Sequence, residues 1–558
     1  MPDPTVAISR LIEIDGSKLA DDIDGHLESA TVVDRLSMPD MFALVFRDPQ
    51  RDILGRAGLE VGTKVKISTT SANEDSPKAL IDAEVTSIES EYGAHGTLAV
   101  VRGYDRSHRL AAGRKTATYL NTKYSDIASQ IASAASLTAD VDESEGTFDH
   151  VFQINQSDLD FLYGLARQIG YDCRVDGEKL LFKRPVESTS GPAEGTGTST
   201  HATELVWGDN LLDFRARMSA VAQVSKVEVR GWDPKNKQEV IGTAEATATN
   251  AQLPTTPGDL ADKVGGQTLV VVDHGVDNQQ AADQLANARA EQIGSAAFEA
   301  TAITAGSPDL KAGVAVSVGG VDPALAGKWV VSGSRHEFGD GMYRTSLEFT
   351  GRQDRSLHGL LSQGSGGPGG AGDRMPGVAI GVVDDNNDPQ ESGRVKVRLP
   401  WLASDAVSNW ARMAAPGAGK DSGMVWLPQV GDEVLVAFEF GDMSRPIVIS
   451  GLWNGQDTIP FDYGSDLDAG DVTYRGWTSR SGHKISLRES SSDSSIQLQT
   501  ANGKVNIVLD DTNKEIRIET EGKLTIDAKQ DVEIKAGGSM KLEATGQMTI
   551  KGATVAIN

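Results

Sequence analysis

Nine histidines, one cysteine and a run of aspartates are the residues of this 558-residue chain best suited to metal or nucleophilic chemistry. A zinc or iron site needs several such groups converging at fixed spacing. His108, His150, His201, His274, His336, His358 and His483 are scattered among unrelated segments. No cysteine cluster, His-Glu-x-x-His or C-terminal His-x-His pair is present. Asp384-Asp-Asn-Asn-Asp388 has the carboxylates of a calcium loop, but lacks the sixth-position glycine and twelfth-position glutamate of an EF-hand. It reads as a turn between strands. Gly364–Gly372 is glycine-rich without a following Lys-Ser or Lys-Thr, so it is not a phosphate loop. Cys173 lies in Tyr171-Asp-Cys-Arg-Val175, the setting of a small buried hydrophobe. Nothing joins the many serines and aspartates into a triad. The expectation is no cofactor, no metal site and no catalytic site: not an enzyme.

The totals point the same way. A formal charge of −26 repels phosphate backbones and anionic headgroups, so nucleic acid is not an expected partner. A chain of this length accommodates about three to five domains. The 60 glycines suit many turns, and strand patterns outnumber helical ones. The N-terminus has no basic and apolar leader, and no stretch of about 18 apolar residues occurs. Cytoplasmic synthesis without a signal peptide is expected.

Organisation follows from composition. Glu187 to Glu204 is rich in Ser, Thr and Gly and reads as a linker or a long loop. Gln363 to Arg374 is richer still in glycine and marks a major boundary. Before it, Ser157 caps a helix carrying Leu159, Phe161, Leu162, Leu165 and Ile169, stopped by Gly170. A second helix is expected to start near Asp277 and to carry Leu285 and Ile293. Val224 to Arg230 alternates as a strand. After the linker, Val378, Ile380 and Val382, then Val395, Val397 and Leu399, then Val434, Val436 and Phe438 alternate between glycine turns. Those short strands predict a small β-barrel.

From Ile516 the chain falls into eights: Ile516-Arg-Ile-Glu-Thr-Glu-Gly-Lys523, then units beginning at Leu524, Val532, Met540 and Met548. The first and third positions are apolar in every unit. Strand side chains alternate every two residues, and eight is even, so these positions return to one face. Two large residues per unit are too thin a core for one chain. Three chains wound around an axis bring three apolar faces together and leave few edges. A single-chain solenoid is the competing arrangement. Ile516, Ile518, Leu524, Ile526, Val532, Ile534, Met540, Leu542, Met548 and Ile550 are the expected trimer core.

Several longer motifs carry a family likeness. Gly393-Arg-Val-Lys-Val-Arg-Leu-Pro-Trp401, Ala411-Arg-Met413, Leu427-Pro-Gln-Val-Gly-Asp-Glu-Val434, Phe440-Gly-Asp442, Arg445-Pro-Ile-Val448 and Gly451-Leu-Trp-Asn454 resemble an OB-type barrel in order and spacing. Ser481-Gly-His-Lys-Ile-Ser-Leu487 resembles the start of a needle. Arg102-Gly-Tyr-Asp-Arg-Ser-His-Arg-Leu110, Phe152-Gln-Ile-Asn155 and Arg230-Gly-Trp-Asp-Pro234 resemble a hub of the phage late-control D type. Over nearly its whole length the chain resembles the VgrG-like spike proteins of contractile injection systems, and the layout is most similar to phage-tail-like extracellular particles.

That resemblance implies a mainly β protein: an α+β hub of barrel-like domains at 1–355, a linker at 356–375, an OB-type barrel at 376–456, a connector at 457–477 and an intertwined trimeric β-helix at 478–558. It implies a homotrimer joining a six-fold tail tube and baseplate to a three-fold needle. The needle would carry a PAAR-type tip protein on Val555, Ile557 and Asn558, with effector cargo, and would puncture a target envelope mechanically. Trp401, Trp410 and Trp426 are then packing or interface residues. The alternatives are a spike bearing a cell-wall hydrolase and a trimeric adhesin or tail fibre. The gap from Gly455 to about Thr478 is too short for a catalytic domain.

Overall fold

Strands with one buried face build most of this chain. The computed structural model describes residues 8–70, 76–94, 96–195, 197–272, 275–352, 375 and 377–557. The glycine linker expected at 356–375 lies outside the described residues except for Met375, as do His274 and His358. Strands take 42% of the chain and helices 13%. The chain is mainly β, as expected. It divides into two units, Met1–Leu452 and Trp453–Asn558.

In the first unit, Met41–Arg47 illustrates the alternation: Phe42, Leu44 and Phe46 are buried, with half-buried residues between them. It lies within an eleven-stranded antiparallel sheet assembled from distant segments. Leu27–Arg35 pairs with Gly333–Gly339, Arg35 opposite Gly333 and Ser29 opposite Gly339. One core, with Ile12, Phe42, Phe46, Ile67 and Val101, packs on one half of the sheet. A second, with Phe298, Trp329, Leu347 and Phe349, packs on the other. Gly103 is required where it stands, because a Cβ there would lie 2.2 Å from the Glu84 carbonyl and 2.3 Å from the Phe42 ring.

The helices are insertions around these cores. Asp158–Ile169 forms as expected: Ser157 Oγ accepts from Asp160 N at 3.1 Å, and Gly170 ends the helix with φ 72°. Gln279–Ser295 starts near Asp277, as expected. Asn278 is its cap, Oδ1 accepting from Ala281 N at 2.8 Å. The Asp277 carboxylate is instead 3.2 Å from Arg445. Glu187 to Glu204 is a packed loop, since Ala193 O accepts from Ser317 Oγ at 3.1 Å and Thr189 O from Lys328 Nζ at 2.9 Å.

A carboxylate cluster ties the hub segments together. Buried Asp34 accepts from Ala312 N at 2.9 Å and lies 3.8 Å from Arg174. Asp40 accepts from Arg35 N at 3.0 Å and donates its own N–H to Asp105 at 3.3 Å. Asp105 also accepts from Ser107 N at 2.9 Å. Burial pushes Asp105 up to about 6. Burial and the neighbouring Asp34 and Asp105 raise Asp40 well above the usual carboxylate range. A carboxyl raised on folding stabilises the fold below its unfolded value near 4, and that contribution is lost as pH rises through about 6. Thermal denaturation at pH 5 and pH 7.5 should therefore show a drop in midpoint that shrinks in Asp105→Asn. An identical pH response in both proteins would remove Asp105 from this account.

The barrel expected after the linker is present. Val378–Asp385, Lys396–Arg398, Arg412–Met413, Glu433–Phe438 and Pro446–Gly451 form one five-stranded sheet, and a bridge between Val395 and Ala411 joins its edges. Its interior holds Val383, Val395, Val397, Leu399, Val434, Val436 and Val448. In the first strand, however, small Ala379 and Gly381 face inward, while Val378 and Ile380 stay exposed. The interior is too narrow for larger groups there: a Cβ on Gly381 would lie 2.2 Å from Val397 Cγ1. Asp388 shapes the turn after this strand. It accepts from the backbone N–H of Gln390, Ser392 and Arg394 and binds the Arg394 guanidinium at 2.6 and 3.0 Å. Those bonds, Arg394 first, hold its carboxyl far below the usual range.

Candidate functional site

The second unit carries a long row of exposed apolar residues. It begins with an antiparallel meander of Tyr474–Thr478, Lys484–Glu489, Ser494–Gln499, Val505–Asp510 and Glu515–Thr520. Directly opposed residues share a face. One row therefore runs Trp477, Ile485, Leu498, Ile507, Ile518, and a second runs Leu487, Ile496, Leu509, Ile516. Most of these side chains are exposed. The opposite face is polar: Gln497 donates to Asn506 at 2.8 Å, and Arg488 pairs with Asp466 at 3.2 Å and lies over the Tyr474 ring.

After Thr520 the character changes. The backbone runs extended between bends at 521–522, 529–530, 537–538, 545–546 and 553. These recur every eight residues, in phase with the sequence units. Among the described residues, the last backbone–backbone hydrogen bond is from Glu521 N to Lys504 O. Beyond it, strand-like segments have no strand to pair with.

Every residue of the expected core lies on this surface. Ile516, Ile518, Leu524, Ile526, Val532, Ile534, Met540, Leu542, Met548 and Ile550 are all exposed, from 48% at Met548 to 72% at Ile516. Val555 and Ile557 are exposed as well, and Asn558 lies outside the described residues. The meander's share of the surface was missed from sequence. Its signal is Ile-x-Leu at eleven-residue intervals: Ile485 and Leu487, Ile496 and Leu498, Ile507 and Leu509.

The titratable groups have structural surroundings. Cys173 is buried and its thiol is pushed up to about 12 by burial. His336 is pushed down to about 3 by burial, with Nδ1 2.9 Å from the Tyr343 hydroxyl. His483 Nδ1 accepts from Ala501 N at 3.2 Å and fixes a turn. Among the described residues no group of three His, Cys, Asp or Glu is arranged to hold a metal. Among them, too, no helix is long and apolar enough to cross a membrane.

Comparison with known proteins fits this geometry. Residues 379–453 match the family model of the type VI secretion system/phage-baseplate injector OB domain, and residues 80–340 match that of the Alg8 N-terminal domain. The type VI secretion system spike protein VgrG1c of Pseudomonas aeruginosa is 33% identical over 89 residues, 15% of this chain and 12% of the relative. The actin cross-linking toxin VgrG1 of Vibrio cholerae is 25% identical over 341 residues, 55% of this chain and 28% of the relative. The chain thus spans well under a third of either relative. In fold, it is similar to the lidded Francisella PdpA–VgrG complex at TM-score 0.53 and 10% identity, covering 93% of this chain and 80% of that one. The barrel thus matches the injector OB domain, and the chain is similar in sequence to VgrG spike proteins and in fold to a VgrG complex.

Proposed function

We propose that three copies of this chain wind their C-terminal segments into one rigid needle, the puncturing spike of a contractile, phage-tail-like injection particle. The observation that carries this reading is the lone chain's exposed apolar ladder, continuous from Ile485 to Ile550, on strands with unpaired edges. A monomer gains nothing by keeping such a surface in water. Three ladders facing one axis remove it, and pairing between copies satisfies the edges.

In this reading the hub meets the tail tube and baseplate proteins and the barrel forms a collar. The needle acts by force on the target envelope, without a catalytic step, and carries effector cargo. Val555 and Ile557 support a separate tip protein of the PAAR type. They take the eighth and second positions, which hold only charged or polar residues in the earlier units. An apolar pair that breaks the phase of the repeat suits contact with a cap, with Asn558 beside it.

Light scattering on the purified full-length protein tests the assembly. A trimer has a mass of about 177 kDa, three times the 59.1 kDa chain. A particle of 59.1 kDa at micromolar concentration would overturn the reading.

A further inference from the structure

The outward face of the octads carries a second pattern that the apolar ladder does not explain. From Ile516 onward, residues eight apart hold opposite charges six times: Glu521 and Lys529, Lys523 and Asp531, Asp527 and Lys535, Glu533 and Lys541, Lys535 and Glu543, and Glu543 and Lys551. Like charges meet once, at Glu519 and Asp527. Because the bends recur every eight residues, each pair occupies the same position in successive units. Among the described residues, no ion pair joins such residues in the lone chain. Lys535 pairs along its own strand with Glu533 at 2.5 Å, and Lys541 with Glu543.

We propose that these charges form ion-pair columns between copies and set the stagger of the needle, each unit of one chain lying beside the following unit of its neighbour. This rests on the trimer reading above, and the occupant of the surface is a second copy of this chain. Under three-fold symmetry, each unit that passes to the next face of a prism comes to lie against the preceding unit of the chain already there. Same-position side chains of neighbouring strands then stand about 5 Å apart. The fourth position gives the longest column: Asp527, Lys535, Glu543, Lys551. A slip by one whole unit leaves the apolar ladder intact, because every unit offers the same two residues. It does not leave the columns intact. A two-unit offset sets Asp527 against Glu543 and Lys535 against Lys551. The charges thus discriminate among registers that the hydrophobic core treats as equal.

The alternative role for the charges is pairing along each strand, since neighbours two apart also alternate in sign. Two swaps of identical composition separate the roles. Glu533→Lys with Lys541→Glu keeps the column pair but makes Lys535 and Glu543 like-charged with their strand neighbours. Glu533→Lys with Lys535→Glu keeps the strand pair but sets residue 533 against Lys541, and residue 535 against Asp527 and Glu543.

Thermal melting of the full-length protein at low salt, with mass by light scattering, is the test. The column-keeping variant should melt close to wild type as a trimer. The strand-keeping variant should melt lower by about 5 °C or more. The difference should collapse in 1 M NaCl, where charges are screened within about 3 Å. Equal melting of the two variants, or the opposite order, overturns the columns. A wild type of one-chain mass instead overturns the trimer reading, and the between-copy columns with it.

Discussion

Ile526→Asp and Ile534→Asp should each abolish the proposed trimer while the hub stays folded. Both side chains are largely exposed in the lone chain, at 71% and 68%. In the proposed needle each becomes one of three at a single level of the axis. Burying an isoleucine contributes about 1.5–3 kcal/mol by area, threefold here. Aspartate forfeits that and brings three carboxylates together without partners, each costing several kcal/mol. The summed loss is on the order of 10 kcal/mol per trimer, comparable to the whole stability of a domain. Thr525→Asp, one residue away on the outward face, is the control and should keep the trimeric mass. Light scattering and far-UV melting of the three variants decide the matter. A trimer of unchanged stability in either isoleucine variant would sink the assigned inward face.

Phe152→Ala should uncouple the hub from the barrel. Phe152 belongs to a hub strand, Phe148–Gln156, yet its ring is buried as part of the barrel's core cluster. The same joint holds His150, whose Nε2 lies 3.3 Å from the Val407 carbonyl. Arg445 donates to Gly275 O at 2.6 Å and pairs with Asp277 at 3.2 Å and Glu439 at 2.8 Å. Truncating a buried phenylalanine costs about 3–5 kcal/mol. Here the loss falls on the joint, because the ring's own strand stays paired to Lys115–Thr122. Calorimetry should show the barrel melting in its own earlier transition, and adding Arg445→Ala should widen the gap. An unshifted transition in the double variant would show that force crosses elsewhere.

What was legible in the sequence had a short period or a local partner. The octads are plain because eight is even and Ile, Leu, Val and Met recur at fixed places. The helix at Asp158–Ile169 is plain because Ser157 and Gly170 mark both ends. The meander was hidden because antiparallel hairpins return at eleven residues, and Ile485, Ile496 and Ile507 do not align in eights. Asn278 caps the helix expected near Asp277, while Asp277 itself pairs with Arg445, a partner far away in sequence. Val378 and Ile380 face outward because Val397 crowds the space opposite Gly381, a contact no local pattern encodes. The Asp34, Asp40 and Asp105 cluster and the Phe152 anchor join segments far apart in sequence, so their neighbours could not be named beforehand.

The change at Thr520, from strands paired within the chain to strands paired with nothing, dictates an order of birth. The meander closes by local hairpins and needs no other copy to begin. In the proposed trimer the octads behind it find hydrogen bonds only once two more chains have arrived. Winding of the proposed needle would therefore start where three meanders meet and run toward the C-terminus, like a rope laid from its whipped end. Until the last turn is laid, each strand is a sticky thread, open to pairing with any stray β-segment. Once it is laid, no copy could be exchanged without unlaying the rope, so the proposed spike would be held by its kinetics as firmly as by its contacts.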